Sequence, residues 1–323
     1  MYLEHFNLKL EPFAATPDPQ FLFKSRMHLE ALDRLVAAVT MRRGINAIIG
    51  EPGLGKSLLI RTTLQGFSER VRFAWVFNTN LNGRELIKYI CRDFGFTPQG
   101  EDLSDLLMEL YAFLIDAYKR GLYTVLVVDE AQSLKYDVLE EIRQLSNLET
   151  SRCKLLQVIL SAQPQLDAYL QEPALHQLKQ RISLKAVLKR LDEDDARRYI
   201  LHRLRVAGSG DQELFTPAAL SKIYEISGGV PRLINQVCDN ALLTAFQRQC
   251  RTIDAVLIQE LAAANKVTCA RAAVADAVAA PAVPAEAAAH PAMTRNPSIR
   301  RPKQPSFEFA QIGDFCGVDV ESL

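Results

Sequence analysis

The sequence predicts an α/β protein: a parallel sheet flanked by helices, followed by an all-helical lid and a low-complexity tail. Three observations carry this expectation. Short apolar segments alternate with amphipathic ones through the first two-thirds of the chain, the pattern of a parallel sheet covered by helices on both faces. The strand signal stops near Asp192 and only helical periodicity follows. Composition then shifts to alanine and proline near residue 267.

The elements follow in order. Ile45–Gly50, Arg72–Thr79, Tyr123–Asp129, Leu155–Ser161 and Ile182–Leu188 read as strands, being short, apolar and rich in β-branched residues. Asp105–Lys119 and Tyr136–Leu148 read as amphipathic helices between them. Asp192–Val206, Pro217–Ser227, Pro231–Gln247 and Asp254–Ala264 read as the lid helices. Thr216-Pro217 supplies a cap followed by proline at the first helical position. These readings divide the chain into a core over 1–191, a lid over 192–266, an Ala/Pro-rich linker over 267–305 and a short segment over 306–323. Proline breaks helices in the linker, and aromatics return only at Phe307. The apolar side chains of the last segment suit a docking peptide.

Composition sets limits. The chain has 323 residues, 48% hydrophobic and 24% charged, which is globular and excludes collagen-like or wholly disordered chains. Lys+Arg and Asp+Glu are both 38, so no global field draws the chain to nucleic acid or an anionic membrane. The 6 cysteines form no C-x-x-C pair, so reduced thiols in a cytoplasmic setting are expected. The N-terminus MYLEHFNLKLEPF lacks a signal-peptide layout, and no apolar run reaches membrane-spanning length, so direct membrane insertion is not expected.

Gly50-Glu51-Pro52-Gly53-Leu54-Gly55-Lys56-Ser57 matches G-x-x-x-x-G-K-[ST], with a strand before it and a helical segment from Leu58 after it. This is a P-loop. Its glycines let successive N–H groups turn toward phosphate oxygens, and the helix N-terminus adds its positive end. Lys56 supplies a point charge, and Ser57 offers a hydroxyl to Mg²⁺. TVLVVDE then supplies a buried strand ending in Asp129, a candidate Mg²⁺ ligand, and Glu130, a candidate general base for the attacking water. The next strand ends in Ser161 and Gln163; either could face the γ-phosphate. Arg181 sits at a helix-to-strand junction, where an arginine can reach a neighbouring subunit's nucleotide. Arg232 opens a lid helix after Gly228-Gly229.

Together these residues resemble an AAA+ ATPase, and more narrowly the ExeA/GspA-type family of general secretion pathway ATPases. The resemblance rests on the opening block with TPDPQFLF, the P-loop, VVDEAQ, LSNLETSRCKLLQVILSAQPQL, LKQRIS, FTPAAL and SGGVPRLINQVCDNAL, in that order. It implies an oligomer that binds ATP and Mg²⁺ and hydrolyses ATP, with Arg181 as finger and Arg232 as lid arginine. It implies a protein partner in a secretion or pilus-like envelope machine, and it places Phe21 near the adenine. Longer members carry a transmembrane helix and a peptidoglycan-binding domain after the ATPase, where this sequence has its Ala/Pro tail; the strand end that usually reads GQP is Ala162-Gln163-Pro164 here. Related cores of the TnsC/MuB type regulate transposition on DNA. The locally basic stretch Gln177–Arg205 keeps duplex DNA open as an alternative partner.

Overall fold

The computed structural model describes residues 2–77, 80–210 and 212–264. The expected tail segments, 267–305 and 306–323, lie outside these residues, as do Asn78 and Thr79 at the end of the second expected strand.

Five strands form one parallel sheet: β1 (Ile45–Ile49), β2 (Val71–Val76), β3 (Tyr123–Val128), β4 (Leu156–Ala162) and β5 (Ile182–Val187). Their order is β2-β3-β4-β1-β5, so β4 lies between the P-loop strand and the Asp-Glu strand. Ile48 registers with Ser161, and Val128 with Leu160. The loops after β1, β3 and β4 therefore meet at the carboxyl ends of three adjacent strands, where α/β sheets bind their ligands.

Period-2 alternation assigns each strand side chain to a face. Val125 and Val127 join one cluster with Ile48 and Ile159, covered by α2 (Arg26–Thr40) and α3 (Lys56–Gly66) through Leu35, Val39, Leu59 and Ile60. Leu126 and Val128 face the other way. There they meet Leu86 and Ile90 of α4 (Gly83–Asp93), Leu110 of α5 (Leu103–Lys119) and Ile142 of α6 (Tyr136–Leu145). Val125–Val128 are all fully buried, which explains why β3 reads as a continuous apolar run. Each such side chain contributes about 1.5–3 kcal/mol by leaving water.

Caps set several helix starts. Asn82 and Glu85 form a reciprocal capping box on α4. After the short helices α7 (Gln165–Tyr169) and α8 (His176–Arg181), α9 (Glu193–Val206) begins on Asp192, whose carboxylate accepts from the Asp195 N–H. Thr216 caps α10 (Pro217–Ser227), and Gly228 ends it in the left-handed region at φ 57°. α11 (Pro231–Gln247) starts on proline, and Asp254 caps α12 (Ala255–Ala263).

Helices α9–α12 bury a separate cluster that includes Ile200, Leu220, Ile234, Leu242 and Ile258. Phe6, Leu8, Phe13 and Phe21 of the N-terminal segment belong to this cluster, not to the sheet's. The segment begins with the single turn α1 (Tyr2–His5), and the Arg203 guanidinium of α9 donates to the Pro12 carbonyl. Among the described residues, no helix is long and apolar enough to cross a membrane. Cys91, Cys153, Cys238 and Cys250 are free thiols.

Candidate active site

The loop Gly50–Ser57 leaves β1 and turns into α3. Gly53 and Gly55 take φ of 81° and 90°, in the left-handed region that side chains avoid. Lys56 is 6% exposed, and its Nζ donates to the carbonyls of Gly50 at 2.8 Å and Glu51 at 3.0 Å. Burial pushes the Lys56 ammonium below the ordinary lysine range, while Glu130, Asp129 and Glu51 pull it back up. An ammonium held on two neutral carbonyls gains by exchanging them for phosphate oxygens.

Asp129 is the hub of the site. Its Oδ2 accepts from Ser57 Oγ at 3.0 Å. Its Oδ1 accepts from Ser161 Oγ at 2.7 Å and from the Glu130 N–H at 3.1 Å. Ser57 Oγ and Asp129 Oδ2 are hard oxygens of the kind Mg²⁺ takes beside phosphate and water, so the donor set fits that ion. Ser161 is fully buried, and its hydroxyl is committed to Asp129.

Glu130 occupies the left-handed region at φ 50°, ψ 41°, an unusual conformation for a residue with a Cβ. This turn lets its exposed carboxylate meet two amides. Glu130 Oε2 accepts from Gln132 Nε2 at 2.5 Å and from Gln163 Nε2 at 3.0 Å. Gln163 thus meets the carboxylate of Glu130.

The lid helix α11 touches the P-loop directly. The Arg232 N–H donates to the Gly53 carbonyl at 3.2 Å, and a Cβ built on Gly53 would lie 2.7 Å from Arg232 Cβ. The Arg232 side chain itself is exposed beside the loop. Arg181 is elsewhere. It ends α8 immediately before β5, and Ile182 registers with Ile45 at the start of β1. Five strand residues, about 17 Å, therefore separate its level from the P-loop within this chain.

Three contacts were not legible in the sequence. The Arg190 guanidinium, between β5 and α9, binds Glu51 Oε2 through Nε at 2.9 Å and Nη2 at 2.6 Å, tying the P-loop to the lid junction. His28 receives the Ser25 hydroxyl on Nδ1 at 2.7 Å, and its Nε2 lies 3.4 Å from the Leu54 carbonyl. A carbonyl only accepts, so Nε2 carries the proton. Burial lowers the pKa of His28 and favours that neutral ring. Gln132, within VVDEAQ, is the third. Phe21, expected near a nucleotide base, is 4% exposed and carries the Arg203 guanidinium 4.8 Å from its ring centroid.

The basic stretch Gln177–Arg205 does not form one free row. Arg190 pairs with Glu51, Lys185 with Asp167, and Arg198 with Asp194 and Asp195, while Arg203 is buried.

Residues 39–170 match the AAA domain family. General secretion pathway protein A of Aeromonas hydrophila is 40% identical over 249 residues, covering 77% of this chain and 45% of that protein. The chain thus spans less than half the length of this relative. The ORC2 protein of Aeropyrum pernix, solved in ADPNP–ADP complexes, superposes with a TM-score of 0.62 at 21% identity, covering 77% of this chain and 70% of that one. Cdc6p of Pyrobaculum aerophilum gives a TM-score of 0.59 at 18% identity, covering 75% and 67%. These two likenesses establish the fold.

Proposed function

The chain carries an AAA domain and is a homologue of general secretion pathway protein A, and from that premise we propose that it is an oligomeric, Mg²⁺-dependent ATPase. In this reading, ATP binding and hydrolysis drive assembly or operation of a secretion or pilus-like envelope machine from the cytoplasmic side. Residues 1–191 act as the ATPase core and 192–266 as the lid. The observation that carries the reading is the Asp129 carboxylate, bonded at once to Ser57 of the P-loop and Ser161 of β4. A P-loop alone would serve storage of a nucleotide; a carboxylate bonded to its serine, with Glu130 next in sequence, suits hydrolysis.

Each residue then has a task. The backbone N–H groups of the loop Gly50, Glu51, Pro52, Gly53, Leu54, Gly55, Lys56 and Ser57, with Leu58 in the first turn of α3, surround the β- and γ-phosphates; Pro52 contributes no donor. Lys56 moves its Nζ from the Gly50 and Glu51 carbonyls to phosphate oxygens. Ser57 and Asp129 hold the ion, which when bound neutralises charge on the phosphate oxygens. Ser161 fixes the Asp129 carboxylate, and Gln163 stands at the Glu130 carboxylate, near where the γ-phosphate ends. Glu130 takes a proton from the attacking water as its oxygen bonds to the γ-phosphorus and the bond to the ADP oxygen breaks. Arg232, already against Gly53, reaches the γ-phosphate from the lid. Arg181, remote from its own P-loop, reaches the site of a neighbouring copy and stabilises the developing charge.

Phosphate release measured with ATP tests the activity. Wild-type protein should turn over with Mg²⁺ and stop with chelator, and Lys56→Ala should bind no ATP. Turnover by Lys56→Ala at the wild-type rate would refute the site.

A further inference from the structure

We propose that Gln132 is a positioning residue for hydrolysis: its side-chain amide aims the carboxylate of Glu130 by bridging it to the main chain at the end of β4. The inference rests on the reading of Glu130 as the base. The amide makes two bonds of opposite sense. Its Nε2 donates to Glu130 Oε2 at 2.5 Å, and its Oε1 accepts from the Gln163 main-chain N–H at 3.0 Å. Gln163 closes the circuit by donating its own Nε2 to the same carboxylate oxygen at 3.0 Å.

A cycle of three bonds fixes more than a single pair does, because neither the Glu130 carboxylate nor the Gln132 amide can rotate away without breaking two contacts. The acceptor side anchors the amide to main chain, which does not change rotamer. The donor side then transmits that anchor to the carboxylate. Both donors hold Oε2, so Oε1 is the oxygen these amides leave to the attacking water. Both are neutral, so they orient the carboxylate without cancelling its charge as an arginine or lysine would.

The anchor point is also tied to the nucleotide loop. Ala162, the residue before Gln163, accepts the Gly50 N–H at 3.1 Å and registers with Ile49. A displacement at the root of the P-loop is therefore passed along β4 to Gln163 and through Gln132 to Glu130. The local backbone serves the same end. Glu130 enters the left-handed region and starts a short 3-10 turn over Ala131–Ser133, and Ala131 is fully buried. The turn places position 132 beside position 130, and only a side chain that both donates and accepts completes the bridge.

Two substitutions separate positioning from packing. Gln132→Ala removes both bonds. Gln132→Glu keeps the shape but faces the Glu130 carboxylate with an acceptor and a like charge. Steady-state hydrolysis gives kcat and KM, a fluorescent ATP analogue gives Kd, and urea unfolding reports on folding, with wild type and Glu130→Gln in the same series. The expected result is a kcat lowered about 10-fold or more in both variants, a part of the about 10²–10⁴ that a positioned base contributes. KM and Kd should stay within about twofold of wild type, and Gln132→Glu should be the more damaged.

Unchanged kcat in Gln132→Glu would overturn the inference, and so would a rise in Kd matching the fall in kcat. Should Gln132→Ala fail to fold, the near-isosteric Gln132→Glu decides alone. If wild type shows no hydrolysis, or Glu130→Gln hydrolyses normally, the reading of Glu130 fails and this inference falls with it. If those two controls behave and only the Gln132 variants match wild type, this inference alone is wrong.

Discussion

Alanine at Gly53 and alanine at Gly55 probe the contact between lid and P-loop. Both glycines sit in the left-handed region, at φ 81° and 90°. A side chain there costs about 1–2 kcal/mol in backbone energy alone. The surroundings differ. At Gly55 an added methyl meets nothing nearer than His28 Nε2 at 3.9 Å. At Gly53 it would lie 3.3 Å from Val230 Cγ1 and 2.7 Å from Arg232 Cβ, an atom fixed to the main chain of α11 that cannot swing aside. Relief requires α11 to move off the loop, a strain of about 1–3 kcal/mol by comparison with overpacked cores. Gly55→Ala should therefore lose about 1–2 kcal/mol, and Gly53→Ala about 1–3 kcal/mol more. For a body of this size that added cost lowers the Tm by about 2–4 °C per kcal/mol. Thermal unfolding without nucleotide measures both. Equal Tm values for the two variants would refute the reasoning, because α11 would then not rest on Gly53.

Further outcomes follow from the same geometry. Ser161→Ala removes the buried donor to Asp129 and should cost about 1–3 kcal/mol of stability, read by urea unfolding; it should also raise the Mg²⁺ concentration needed for half-maximal hydrolysis. Arg181→Ala should lower kcat by about 10³-fold or more with ATP affinity retained. Mixing it with Lys56→Ala protomers should restore part of the rate, once mixed oligomers are shown by sedimentation. The buried His28 has its pKa lowered by desolvation, so the unfolded chain binds its proton first as pH falls through about 6.5. Stability should drop in that window, and His28→Asn should show a shallower loss of Tm between neutral and mildly acidic pH.

The sequence revealed whatever is local in the chain. A P-loop is contiguous, and a doubly covered strand such as Val125–Val128 must be apolar at every position. All five expected strands are present; four differ from expectation by one residue at one or both ends, while β2 stops at Val76, short of the expected Thr79, and the lid helices begin at caps and prolines already visible in the sequence. Contacts set by strand register were hidden. Ser161 meets Asp129 only because β4 lies between β1 and β3, so its hydroxyl could equally have been read as facing phosphate. Arg190 and Glu51 are 139 positions apart. The resemblance of the opening block groups the N-terminal segment with the core over 1–191. Its Phe6, Phe13 and Phe21 pack in the cluster of the lid helices, and nothing in their spacing names that partner.

The central claim is that Glu130 activates water in a site that Lys56 and Ser57 build around ATP. Glu130→Gln, mixed with radiolabelled ATP and Mg²⁺ and followed in a single turnover, addresses it most directly. The account predicts that the variant binds ATP about as tightly as wild type and holds it uncleaved, with hydrolysis slowed about 10²–10⁴-fold. Cleavage of the bound ATP at the wild-type rate would contradict it.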